Sequence, residues 1–165
     1  MKKLFGTLIL ILLVSVFLTS CGSTVPRPKV KNGEFNFSVT YEFNGEIQII
    51  SGVYVCEYRG ISWSLDGGYH RDWSGYIKGC TTEEVIMLET AEDGGEIVLN
   101  LGFDPTCFMG DSRWGNDEPL SPRITVKIVD DEGLYFQNDA KLIAETYGVR
   151  VISYEYDEPI ENTFN

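Results

Sequence analysis

The chain has 165 residues, with 25 acidic side chains against 13 basic ones and a single histidine. Setting aside the first 20 residues, which read as a targeting segment, leaves 145, the length of one domain. Lys2 and Lys3 leave with that segment, taking the net charge from −12 to −14. This repels nucleic acid and anionic lipid headgroups, and the 19 aromatic residues that stay behind are too many for a disordered tail.

Met1, Lys2 and Lys3 form a positive start, followed by an apolar run from Leu4 to Leu18 that is short for a membrane span. Leu18-Thr19-Ser20-Cys21 comes next: an apolar residue, two small residues and a cysteine. This resembles the lipobox of bacterial lipoproteins, and the resemblance covers the first 23 residues only. It implies that residues 1–20 are a cleaved signal peptide and that Cys21 carries a thioether-linked diacylglycerol. The domain is then held on a membrane outside the cytoplasm. Two acyl chains anchor a soluble domain firmly, where one binds only marginally. The competing readings are an ordinary secretory signal and an uncleaved anchor helix. Gly22 is not the aspartate that favours inner-membrane retention in Gram-negative lipoproteins, and the type of envelope stays open.

Gly22 to Asn32 holds Pro26 and Pro28 with the bases Arg27, Lys29 and Lys31, and reads as a stiff tether. The expected organisation is therefore signal peptide 1–20, lipidated cysteine and tether 21–33, and one domain over 34–165.

From Glu34 the chain alternates, with Phe35, Phe37, Val39, Tyr41 and Phe43 on one side and polar residues on the other, as in a strand with one buried face. Asn44-Gly45 follows, and both residues tolerate positive φ, so a hairpin into Glu46-Ile47-Gln48-Ile49 is expected. The alternation slips at Ile50-Ser51-Gly52 before resuming through Val53 to Tyr58, which suggests a bulge or bend at Gly52. Short β-branched or aromatic runs recur at Glu84 to Thr90, Glu96 to Leu101, Arg123 to Val129 and Val149 to Tyr156. Between the last two, residues 139–147 suggest a short helix, capped by Asn138 or Asp139, ended by Gly148 and plugging one end of the core. About seven strands and one helix predict an all-β, two-sheet antiparallel sandwich, immunoglobulin-like only in the broad sense.

Cys56, Cys80 and Cys107 allow one disulfide in three pairings, or act as core thiols. His70, Asp72 and Ser74 alternate onto one face, but the carboxylate lies between the other two, the wrong order for a triad. One histidine and scattered cysteines give no zinc-ligand pair. Gly102 to Pro122 reads as a long loop whose Asp104, Asp111, Asn116, Asp117 and Glu118 offer calcium hard oxygens. It shows no EF-hand or repeat pattern, since Arg113 takes the third position counted from Asp111, and a plain solvated loop is the alternative.

The most unusual stretch is Trp63 to Lys78, read as a glycine-shaped loop. Its Trp63, Asp66, Tyr69, Trp73 and Tyr76 are the candidate ligand-binding residues, since aromatic faces beside polar groups suit sugar rings or a peptide. Trp114 joins them if the two loops share an end, and the competing reading is that Trp63 and Trp73 are core residues. The expected function is a lipid-anchored binding module, not an enzyme, with no cofactor and with a glycan or protein partner. The alternatives are an accessory subunit of an envelope complex and, last, a small hydrolase, for which no nucleophile or metal cluster speaks.

Overall fold

The structure, a computed structural model, describes residues 25–65, 67–80, 85–91, 94–112, 121–130 and 133–165. Phe35, Phe37, Val39 and Tyr41 are all buried along β1 (Asn32–Phe43), as strict alternation requires. Asn44 and Gly45 both have positive φ, 51° and 81°, so a two-residue turn sets Phe43 opposite Glu46 and starts β2 (Glu46–Ser64). That register turns Ile47 and Ile49 to the outer face, where they stay exposed. It also brings Gln48 to the inner side, where its Oε1 accepts from the Tyr41 hydroxyl at 2.7 Å.

The bulge expected at Gly52 is not there. β1 and β2 pair without interruption from Asn32↔Glu57 to Phe43↔Glu46, and Gly52 lies directly opposite Phe37. A Cβ on Gly52 would come within 2.8 Å of that phenyl ring, so the missing side chain makes room for an aromatic neighbour. The irregularity falls farther on, between Tyr58 and Gly60, where the pairing with β3 (Gly68–Ile77) shifts and Gly60 takes a φ of 134°. The stretch read as a loop over 63–78 is therefore mostly strand, and β2 and β3 form a long antiparallel hairpin whose pairing ends at Ser64 and Gly68.

The remaining strands are β4 (Val85–Thr90), β5 (Glu96–Asn100), β6 (Arg123–Asp130), β7 (Gly133–Gln137) and β8 (Val149–Tyr156). Two antiparallel sheets result, ordered β3-β2-β1-β8 and β4-β5-β6-β7, a small all-β sandwich as the periodicity predicts. The helix α2 (Ala140–Tyr147) carries the chain from the second sheet to the first. Asp139 caps its start by accepting from Leu142 N at 2.9 Å, Gly148 ends it in the left-handed region, and Ile143 is wholly buried.

Inside the long stretch after β5 the chain makes one more turn of helix, α1 (Pro105–Phe108), with Asp104 as its cap. This segment is core rather than a solvated loop. Phe103 and Phe108 are buried between the sheets and meet Tyr54 edge-on or tilted, with ring centroids 5.2 and 5.5 Å away. Leu101 and Met109 are fully buried beside them.

The segment from Pro26 onward is also part of the domain. Arg27 and Asn165 exchange two backbone hydrogen bonds of 2.8 and 2.9 Å, Lys29 N donates to Thr163 O, and Pro28 bridges Phe164. The tether expected over 21–33 is thus tied to the C-terminal residues through its second half; Cys21 and residues 1–20, read as a signal peptide, lie outside the described residues.

Candidate functional site

Of the five residues singled out from composition, the four described do not form one surface. Trp63 and Tyr69 sit directly opposite each other near the tip of the β2–β3 hairpin, beyond the first residue of β1, and both are more than half exposed. Trp73 is buried on the inner face, its ring 5.3 Å from that of Tyr58. Tyr76 points the other way and donates to Glu57 Oε1 at 3.0 Å, which holds its phenol above its ordinary pKa. Asp66 and Trp114 lie outside the described residues.

Trp73 belongs to a buried polar cluster built around Asp111. The Arg71 guanidinium grips this carboxylate with two nitrogens, Nε donating to Oδ2 at 2.7 Å and Nη2 to Oδ1, and the Trp73 indole N–H adds a third bond at 2.8 Å. The side chains of Arg71 and Asp111 are 13% and 3% exposed. The hydrogen bonds that Arg71 donates to Asp111 raise the arginine pKa above its ordinary value, so the guanidinium stays charged. Arg71 also donates to Pro26 O at 3.1 Å and lies 3.9 Å above the Phe164 ring, fastening both chain ends to β3.

This arrangement has consequences for the calcium expectation. Asp104 Oδ1 accepts from the Thr106 amide and hydroxyl, and both Asp111 oxygens accept from Arg71, with Oδ2 accepting from Trp73 as well. Asn116, Asp117 and Glu118 lie outside the described residues, and among those described no three metal-ligating side chains come together. His70, Asp72 and Ser74 each have a separate partner: Gly68 O, the Ser62 hydroxyl and Arg59 Nε. Cys56 and Cys107 are buried, Cys80 is exposed, and all three are thiols.

A concave surface lies elsewhere, on the outer face of the second sheet, where a groove of about 880 Å³ opens. Strand register builds it in three rows. Glu96 and Lys127 face each other at one end and form an ion pair of 2.7 Å. Val98 and Thr125 form the floor, each under a tenth exposed, with Met87 opposite Val98 on β4. Asn100 and Arg123 pair at the other end, near Gly79 and Cys80. Phe136 on β7 stands beside Lys127 and is half exposed, and the Thr125 hydroxyl donates to Asn138 Oδ1 at 3.0 Å.

An apolar floor with convergent amides, a hydroxyl and charges at both ends is the usual make-up of a small-ligand site. Sequence reading passed over it because its residues come from four strands and β7 was not expected. The one available signal was a set of outward positions, Glu96, Val98 and Asn100 against Arg123, Thr125 and Lys127, more mixed in character than a solvated sheet face needs.

No protein-family model, curated protein or solved structure matches the chain. Among the described residues no helix is long and apolar enough to cross a membrane.

Proposed function

We propose that the protein is a lipid-anchored binding module, held outside the cytoplasm by Cys21, that takes its ligand in the groove on the outer face of β4–β7. The observation that carries this reading is the groove itself: a buried floor of Val98 and Thr125 flanked by exposed Met87 and Phe136, surfaces an unliganded sheet gains nothing by presenting. Its lining suits a short oligomer with an apolar body and hydrogen-bonding edges. Phe136 offers a flat face, Asn100 and Asn138 offer amides, and Arg123 offers a guanidinium. A binding role is supported by the polar clusters described, whose charged groups are engaged in structural pairs.

A thermal-shift screen of the protein against envelope glycans and short peptides tests this. A ligand at a hundredfold excess over its Kd stabilises the native state by about 2.7 kcal/mol. The shift is expected with the parent protein and lost with Phe136→Ala, whose own melting temperature stays near the parent value because the ring is half exposed. A shift retained in Phe136→Ala and lost in Trp63→Ala would return the ligand to the hairpin.

A further inference from the structure

We propose that the tip of the β2–β3 hairpin is a second membrane contact, lying on the same bilayer that the Cys21 lipid holds. The tip carries three large exposed side chains, Trp63 at 58%, Leu65 at 87% and Tyr69 at 54% exposure, on a hairpin that extends past the start of β1. Tryptophan and tyrosine favour the boundary between headgroups and acyl chains, where the ring is desolvated and its polar atom stays wet.

The path of the N-terminal segment says which end of the domain meets the membrane. Going back from β1, Lys31 O accepts from Tyr58 N at 2.8 Å, and Pro26 O accepts from Arg71 Nη1 at 3.1 Å. Tyr58 lies opposite Trp73, Arg71 opposite Ile61, and Tyr69 opposite Trp63, so the segment runs along the hairpin toward its tip. Arg71 to Tyr69 is two strand residues, about 7 Å. Pro26 to Cys21 is five residues, which span at most about 18 Å. That length is enough for a lipid on Cys21 to share a bilayer with the tip, and the exposed Arg27 and Lys29 lie on the segment that leads to it. Such cations are drawn to anionic headgroups and oppose the repulsion of the remaining acids. Two contacts, one covalent lipid and one hairpin, fix the domain's orientation where a lipid alone leaves it swinging.

The inference rests on the lipid anchor of the preceding reading, and one experiment separates the two. Lipidated protein recovered from cells making the full chain is reconstituted into phosphatidylcholine–phosphatidylglycerol vesicles with brominated acyl chains, a short-range quencher of indole emission. The mass of the N-terminal peptide is measured on the same sample. The expected result is a diacylglyceryl group on Cys21 together with loss of the emission share of one tryptophan among three. Trp63→Phe removes that loss and leaves the lipid mass unchanged. Lipidated Cys21 with emission indifferent to bromine overturns the hairpin contact alone, including the case in which a second copy covers the tip and the protein migrates as a dimer. An unmodified Cys21 overturns the anchor and the hairpin contact with it.

Discussion

Trp63 and Trp73 lie ten residues apart in similar local sequence, yet one is exposed and the other buried over a carboxylate 38 residues away. Local composition cannot separate them, because the difference is made by Asp111, which arrives from beyond the second sheet's β5. The energetic contrast should be large. Asp111→Asn leaves Arg71 desolvated without its counter-charge and is expected to cost about 3–5 kcal/mol, the range for breaking a buried pair from one side. Trp63→Ala is expected to change stability by no more than about 0.5 kcal/mol. Urea midpoints at unchanged m-value read both. A second prediction concerns alkaline pH. Burial holds the Tyr41 phenol above its ordinary pKa of 10.0, so the unfolded chain gives up this proton first as pH rises. Its contribution is fully present below 10.0 and is lost above it, through the folded-state value. The urea midpoint should therefore fall as pH rises past 10.0, and fall less in Tyr41→Phe.

At the scale of elements, β1, its hairpin turn and α2 were legible because each is specified by neighbours in sequence: strict alternation, Asn44-Gly45, and the caps Asp139 and Gly148. The strand β3 was not legible, since glycines and charges dominate Gly68 to Ile77 and the reasons for them are tertiary. Gly75 shows why: a Cβ there would lie 1.8 Å from the Tyr54 hydroxyl, so the position is reserved for a ring from the next strand. The pairing of the two chain ends was equally hidden, because nothing local links Pro28 to Phe164. Deleting residues 162–165 removes that bridge, the Asn162–Val30 hydrogen bonds and the Phe164 face under Arg71. The expected cost is about 1–3 kcal/mol, from a few exposed hydrogen bonds and one cation–π contact. Amide exchange at Arg27 and Lys29 should rise well above that of β1, whereas unchanged protection there would mean that the N-terminal segment is held by other contacts.

For the whole molecule, two sheets joined by α2 divide the work. The inner faces of both sheets and the aromatic segment around α1 build the core, the first sheet also fastens the Pro26 and Phe164 segments, and the second sheet turns a groove outward. Alternation predicts such a sandwich, since it assigns one face of each strand to the interior. A groove across four strands depends on register and curvature, which no single strand encodes. The residues that looked most like a binding site were divided among core, hairpin tip and outer face, and the groove was built from positions that attracted no notice. The measurement that separates these surfaces is a ¹H–¹⁵N correlation spectrum of the protein titrated with a ligand found by thermal shift. The largest perturbations should fall on Val98, Asn100, Thr125 and Asn138, with Trp63 and Tyr69 unmoved. Perturbations confined to Trp63 and Tyr69, with the groove residues unmoved, would contradict the assignment of binding to the second sheet.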